Sequence, residues 1–157
     1  MSVSDDTAGV IAPPPLLYGA ALATGLALHF LVFRVPIGLP AALRFGLALA
    51  LVLAALVLIV GALTGFRRAG TPAEPWHPST AIVTDGIYGY TRNPMYVAMT
   101  FFYAAIALVA DSLVTLLLLV PLLIVVHYGV VLREERYLEK KFGDAYRRYK
   151  SAVRRWI

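Results

Sequence analysis

The stretch from residue 84 to residue 96 is the densest polar and aromatic part of the sequence, and it leads directly into an apolar run. Asp85 and Gly86 are a typical turn pair. Asn93 followed by Pro94 is typical of a helix N-terminus, with asparagine as the capping residue and proline at the first helical position. We therefore expect a helix that begins at Pro94 and directs its free N–H groups to a polar interface, where they attract anions.

Arg92 and Tyr96 flank this helix start and are candidates for chemistry. An arginine beside free backbone N–H groups is well suited to hold a carboxylate. Both residue types are also common where a membrane protein meets the lipid–water interface. The segment by itself therefore leaves a binding site and an interfacial role open.

A second polar cluster begins with Glu134 and Glu135, directly after a long apolar run. Two adjacent carboxylates in that position are costly unless each meets a cation, a hydrogen-bond donor or water. Their partners could be Arg92, Arg133 and Arg136 in a structural network. A ligand that bears a cation or a hydroxyl group is the other possibility.

His127 lies inside the same apolar run, a few residues before its charged end. Polar residues inside an apolar span usually face the interior of the helix bundle. His127 is therefore a candidate to border a site, although an interhelical hydrogen bond would also explain it. The other two histidines, His29 and His77, lie on different segments without the spacing of metal ligands, so we expect no metal site.

The composition places these clusters in a membrane protein. Of 157 residues, 60% are hydrophobic and 15% are charged, against roughly 45–50% and about 25% in soluble domains. A domain of this size buries only about 70% of the surface of its unfolded chain, so the apolar surplus must face lipid. The sequence contains no cysteine, which excludes a disulfide scaffold and thiol chemistry.

Four apolar stretches follow one another along the chain, at residues 16–33, 43–63, 95–110 and 112–132. They predict an all-α integral membrane protein with four transmembrane helices. The third stretch gives a helix of only about 24 Å, shorter than the hydrocarbon core of about 30 Å. Only Asp111 and Ser112 separate it from the fourth, so we expect these two helices to form a short hairpin.

We expect a single membrane domain over residues 1–157. Its parts are a polar N-terminal tail (1–15), a transmembrane bundle (16–132) that includes a connecting segment (64–94), and a basic amphipathic C-terminal region (133–157). The C-terminal region holds nine Lys/Arg and four Asp/Glu, and its apolar residues recur at three- and four-residue steps. This pattern predicts amphipathic helices, with a break at Gly143, which ends one helix, and Asp144, which caps the next.

Basic residues also orient the bundle. Arg67, Arg68 and Arg92 lie in the connecting segment, whereas only Arg34 and Arg44 flank the first connection. The excess of basic residues predicts that the connecting segment and the C-terminus face the cytoplasm, and with four spans the N-terminus does so too. We therefore expect the inner (cytoplasmic) membrane of a bacterium or archaeon, with the site on the cytoplasmic side.

The net charge of +5 equals that of the C-terminal region alone. Next to an apolar span, such a region favours an anionic lipid surface as its partner rather than nucleic acid. The sequence lacks the glycine-rich and HExxH motifs of Rossmann folds, P-loops and zinc proteases. These absences exclude the common nucleotide-binding and metalloprotease classes.

The two clusters together resemble the isoprenylcysteine carboxyl methyltransferase and phospholipid methyltransferase superfamily of membrane enzymes. Residues 86–96 are similar to its pattern G-x-Y-x-x-x-R-[HN]-P-x-Y. Glu134-Glu135, followed by Phe142-Gly143 and Tyr146, is similar to its pattern E-E…F-G-x-x-Y, and residues 153–157 resemble its closing V-x-R-W-I. The resemblance covers about residues 45 to 157.

This resemblance implies that the hairpin and the C-terminal helices enclose S-adenosylmethionine, which leaves as S-adenosylhomocysteine, while a lipophilic substrate enters from the bilayer. It implies that Glu134 and Glu135 bind a ribose hydroxyl or the ammonium group, and that Arg92 and Arg133 are catalytic candidates that hold a carboxylate of cofactor or substrate. The expected cofactor-binding residues are Tyr90, Arg92, Asn93, Pro94, Tyr96, His127, Glu134 and Glu135.

Several alternatives remain open at this point. The methyl acceptor could be the carboxylate of a prenylated compound, which an arginine can position, or a lipid amine, which also needs a base. An NADPH-dependent membrane reductase of the sterol-reductase type is a second class of function. A non-enzymatic scaffold or transport subunit is a third, and the sequence does not fix the oligomeric state.

Overall fold

The computed structural model describes residues 6–157, so residues 1–5 of the predicted tail lie outside it. Over the described residues the chain is helical and contains no β-strand. The helices are α1 (Pro14–Leu31), α2 (Ala41–Ala69), α3 (Pro94–Val109), α4 (Leu113–Val126), α5 (Leu132–Phe142) and α6 (Asp144–Ala152). The all-α prediction is confirmed.

Three helical stretches are long and apolar enough to cross a membrane: Pro14–Val32, Ala41–Ala69 and Leu113–Phe142. The third stretch is continuous because a π-helical turn, His127–Val131, joins α4 to α5. At 16 residues, α3 is shorter than these, as its apolar run predicts. The number of four spans stays a prediction.

The end of α2 differs from its predicted position. The apolar run ends at residue 63, but the helix continues to Ala69, where Gly70 in the left-handed conformation ends it. Arg67 and Arg68 lie in the last turn, where their charge interacts favourably with the helix dipole. The connecting segment therefore comprises residues 70–93 rather than 64–94.

The start of α3 at Pro94 is confirmed, but Asn93 does not cap it through its side chain. The side-chain nitrogen of Asn93, Nδ2, instead donates a hydrogen bond to the Arg155 carbonyl, at 2.9 Å. At the other end, α3 and α4 form the expected hairpin. Asp111 adopts a positive φ of 53° in the connection, and the Ser112 side chain accepts a hydrogen bond from Thr115 N at the start of α4.

Small residues allow the helices to pack closely. On α2 the buried residues Ala48, Ala55 and Ala62 recur every seven positions, so they form one stripe along the helix that packs against α3. Gly25 plays a similar part between α1 and α4, because a Cβ atom there would lie 2.9 Å from Thr115 Cα. At these positions the helix backbones approach one another closely.

The first connection and the N-terminal tail pack at opposite ends of the bundle. At the hairpin end, Leu113 N donates to Val35 O at 3.0 Å, so the first connection packs against the hairpin. At the opposite end, Ile11 N donates to Gly129 O at 3.2 Å, and Asp6 pairs with Lys141 at 2.6 Å. The described part of the N-terminal tail therefore packs along α5, at the same end as the C-terminal helices.

Gly143, with φ of 55°, separates α5 from α6. The predicted break is confirmed, and Asp144 is the first residue of α6 rather than its cap. The break turns the chain so that α6 can fold back beside α5.

Candidate functional site

A cavity lies at the end of the bundle where the connecting segment meets α5 and α6. It contains about 860 Å³ of empty space, including its open mouth. The polar and aromatic residues that line it include Tyr88, Arg92, Asn93, Tyr96, Glu134, Glu135, Tyr137, Tyr146 and Tyr149. Residues 72–75, 79 and 81–83 of the connecting segment form another wall, which is largely apolar.

Tyr96 and Glu134 meet across this cavity. Tyr96 is the third residue of α3, and Glu134 is the third residue of α5. The Tyr96 hydroxyl donates a hydrogen bond of 2.5 Å to Glu134 Oε1. A hydrogen bond to a carboxylate is stronger than one between neutral groups, so this contact holds both side chains at the cavity wall.

Glu135 lies deeper and is surrounded by cations. Its side chain is 7% exposed, and Arg155 binds both of its oxygens, with Nε at 2.7 Å from Oε1 and Nη2 at 3.0 Å from Oε2. Arg92 Nη1 lies 3.1 Å from Oε1, and Lys150 Nζ lies 3.9 Å from Oε2. Arg155 and Arg92 are therefore the close cations of Glu135, because Lys150 pairs more closely with Glu139, at 3.1 Å.

Arg92 is buried without full hydrogen bonding. Its side chain is only 8% exposed, and within the described chain neither Nε nor Nη1 has a hydrogen-bond acceptor. The contact of Nη1 with Glu135 is close enough for an ion pair, but its direction does not make a hydrogen bond. Buried donors without acceptors are costly, so these two nitrogens suit an anionic ligand in the cavity.

The last residues of the sequence hold the start of α3 in place. Arg92 N donates to Arg154 O at 3.0 Å. The Arg155 carbonyl accepts two hydrogen bonds, one from Thr91 Oγ1 at 3.3 Å and one from the side-chain Nδ2 of Asn93 at 2.9 Å. Residues 153–157 thus run beside the motif at 91–93 and fix its position at the cavity wall.

Tyrosines from α6 complete the cavity. The Tyr149 hydroxyl donates to Tyr88 O at 2.8 Å, which ties α6 to the connecting segment. Burial and the neighbouring Glu135 raise the pKa of Tyr146 to about 12, although Arg92 lowers it in part. Tyr146 therefore remains a neutral hydroxyl, able to donate or accept a hydrogen bond at physiological pH.

The structure brings most of the predicted site residues together. Those that line the cavity are Arg92, Asn93, Pro94, Tyr96, Glu134 and Glu135. Within the described residues, no group of three or more His, Asp or Glu side chains is placed to hold a metal ion.

Three predicted residues lie elsewhere. Tyr90 is 80% exposed. Arg133 is exposed and donates to Gly9 O at 2.8 Å, because neighbouring residues on a helix point about 100° apart and its neighbour Glu134 faces the cavity. His127 begins the π-helical turn and its ring lies 6.1 Å from that of Trp156. The wider turn changes the register between His127 and Glu134, which would share a face of a regular helix.

The sequence reasoning named Arg92 as a possible partner of Glu135, which the structure bears out, but it missed Arg155 and Lys150. Arg155 and Lys150 lie 20 and 15 positions after Glu135, so no local pattern connects them. The resemblance of residues 153–157 to a closing motif was the available signal, because Arg155 is the arginine of that motif. The apolar wall from the connecting segment had no signal in residue type or spacing.

Fold and site define a small helical membrane protein with a charged cavity at one end of its bundle. The profile of one family, phospholipid methyltransferase, matches residues 43–145. The chain belongs to this family, within the superfamily that also contains the isoprenylcysteine methyltransferases. The matched region includes the start of α3 and both acidic residues.

Two curated proteins illustrate the similarity. An uncharacterized protein of Haemophilus influenzae is 40% identical over 63 residues, which are 40% of this chain and all of that protein. The protein-S-isoprenylcysteine O-methyltransferase of Schizosaccharomyces pombe is 35% identical over 72 residues, which are 46% of this chain and 30% of that enzyme. No solved structure matches the chain. Family and relatives support a membrane methyltransferase.

Proposed function

We propose that this protein is an integral membrane methyltransferase that takes its methyl group from S-adenosylmethionine and passes it to a lipophilic acceptor. The observation that carries the proposal is the buried Arg92 guanidinium, whose Nε and Nη1 lack hydrogen-bond acceptors in a cavity that also presents the Tyr96–Glu134 pair. Family membership supports the same reaction class.

The residues fit the two charged ends of such a donor. Arg92 binds the carboxylate, since an arginine makes strong charge-assisted hydrogen bonds to that group. Glu134, held by Tyr96, accepts a hydrogen bond from a ribose hydroxyl or from the ammonium group. Because Arg155 already occupies both oxygens of Glu135, we assign ligand contact to Glu134 and a role within the protein to Glu135.

When bound, S-adenosylmethionine supplies an electrophilic methyl group on a positively charged sulfur. The protein then has to align donor and acceptor and to exclude water, and orientation of this kind contributes up to about 7–11 kcal/mol. The aromatic and apolar wall residues, such as Tyr88 and Val83, keep water away from the transfer. No nucleophilic side chain is required.

The acceptor that we favour is a carboxylate on a prenylated or similarly lipophilic compound. The name of the Schizosaccharomyces pombe relative supports this class. Such a carboxylate is already ionised and needs no base. A lipid amine has to lose a proton, and of the glutamates that line the cavity we assign its acceptance to Glu134, since Arg155 occupies both oxygens of Glu135.

The test of the donor compares two ligands by calorimetry with protein in nanodiscs. S-adenosylhomocysteine has the amino-acid carboxylate, whereas 5′-methylthioadenosine lacks it. We expect S-adenosylhomocysteine to bind and Arg92→Gln to weaken it about 10- to 100-fold, the range for a hydrogen bond to a charged group. The affinity for 5′-methylthioadenosine should not change.

Two results would contradict the proposal. One is that folded wild-type protein, checked by circular dichroism, does not bind S-adenosylhomocysteine. The other is that NADPH binds in its place, as a reductase requires. With labelled donor, a prenylated cysteine that has a free carboxylate and phosphatidylethanolamine then distinguish the two acceptor classes, and we expect methylation of the first.

A further inference from the structure

Arg155 lies outside the cavity wall and forms an ion pair with Glu135, which is part of that wall. It is not among the residues that line the cavity, yet both of its hydrogen-bonding nitrogens reach the buried Glu135, at 2.7 and 3.0 Å. Residues 153–157 also lie outside the region that the family profile matches. A ligand contact therefore does not account for this pair.

Arg92 and Arg155 approach the same atom, Glu135 Oε1. Arg155 Nε lies 2.7 Å from it with hydrogen-bond geometry, whereas Arg92 Nη1 lies 3.1 Å from it without. A buried carboxylate that loses its partner is strongly unfavourable and takes the nearest available cation. Lys150 Nζ is farther away, at 3.9 Å, and partly exposed, so Arg92 is the nearest alternative.

We propose that Arg155 is a positioning residue: by binding both oxygens of Glu135, it keeps the Arg92 guanidinium free for the anionic group of a ligand in the cavity. The inference rests on the proposed function, in which that group is the carboxylate of the methyl donor. Without Arg155, Glu135 binds Arg92 and withdraws it from the ligand.

The first measurement is S-adenosylhomocysteine affinity in Arg155→Gln. We expect binding about tenfold weaker, within the range of coupling found for neighbouring charged groups, and unchanged affinity for 5′-methylthioadenosine. Arg155→Lys keeps the positive charge but cannot bind both oxygens of Glu135. Its affinity for S-adenosylhomocysteine should lie between those of the wild type and Arg155→Gln. Arg148→Gln removes an exposed arginine of α6 and serves as the control, with wild-type affinity.

The decisive variant is the double substitution Glu135→Gln/Arg155→Gln. Once Glu135 is neutral it no longer captures Arg92, so the double variant should bind S-adenosylhomocysteine more tightly than Arg155→Gln alone. A purely structural role of Arg155 predicts the opposite, since two damaged contacts are at least as harmful as one. Should Arg155→Gln not fold, Arg155→Lys with and without Glu135→Gln gives the same comparison.

The outcomes separate this inference from the proposed function. If the wild type does not bind S-adenosylhomocysteine, the proposed function fails. If the wild type binds and Arg155→Gln binds equally well, or the double variant is no better than Arg155→Gln, only the role of Arg155 is refuted.

Discussion

The contact between Tyr96 and Glu134 joins two residues that lie 38 positions apart in the sequence. It brings a phenol and a carboxylate to one wall of the cavity, at the starts of α3 and α5. Removal of the hydroxyl leaves Glu134 without its described hydrogen-bond donor, so the carboxylate is free to turn away from a ligand. The ligand-facing geometry thus depends on a single oxygen atom of Tyr96.

Tyr96→Phe should therefore weaken S-adenosylhomocysteine binding about tenfold, equivalent to about 1.4 kcal/mol. Isothermal titration in nanodiscs measures the effect. Tyr90→Phe is the matched control because the same atom is lost from an 80% exposed side chain outside the cavity. Equal losses in the two variants would show that the cavity contact has no special part in binding.

The residue types at the site and the pairing of Arg92 with the acidic residues were readable from the sequence, but the other partners were not. Arg92, Asn93, Tyr96 and the acidic pair attracted attention because polar groups stand beside apolar runs. The involvement of Arg155 depends on how residues 153–157 fold back on the start of α3. That contact spans about 60 positions, and no periodicity reports it.

At the level of helices, the bundle depends on close approach at a few glycines and alanines. Gly25 of α1 leaves no room for a methyl group beside Thr115 of α4. The nearest atom is backbone, which cannot move aside as the end of a long side chain can. The α1–α4 pair is therefore sensitive to a single added carbon.

Gly25→Ala should destabilise the protein by about 1–3 kcal/mol, the usual effect of overpacking. The measurement is the apparent melting temperature in detergent, which we expect to fall. Gly19→Ala lies in the same helix with no atom within 4 Å of the added Cβ, so it controls for the change in helix propensity. Identical melting temperatures for the two variants would contradict the tight α1–α4 contact.

The sequence predicted where α3 begins and where α5 ends, but not the π-helical turn that changes which residues face the cavity. The start of α3 and the break at Gly143 follow from proline and glycine at characteristic positions. The π-helical turn at His127–Val131 does not follow from such a signal, because its residues are also compatible with a regular α-helix. That turn changes which residues of α5 face the cavity, and His127 is not among the residues that line it.

For the molecule as a whole, the described N-terminal residues, the connecting segment and the C-terminal helices meet at one end, and the hairpin and first connection at the other. This arrangement matches the distribution of basic residues, which predicts the cavity end to be cytoplasmic. The hydrophobic composition was sufficient to predict the all-helical fold, because lipid exposure demands apolar side chains over whole helices.

Single-cysteine labelling tests this orientation cleanly, since the sequence contains no cysteine of its own. Ser151→Cys lies at the cavity end and Leu39→Cys in the first connection, and both positions are exposed. A membrane-impermeant maleimide should label Ser151→Cys in inside-out vesicles and Leu39→Cys in right-side-out vesicles. Labelling of both from the same side would contradict the orientation.

The closing contact made by residues 153–157 has a consequence for biosynthesis. Arg155 is made 62 residues after Asn93, whose side chain it holds, and proteins emerge from the ribosome N-terminal end first. The start of α3 is therefore made before the segment that holds it. Until residues 153–157 fold back, a nascent chain has the Arg92–Glu135 pair without its competitor, so the ligand-ready form depends on this contact.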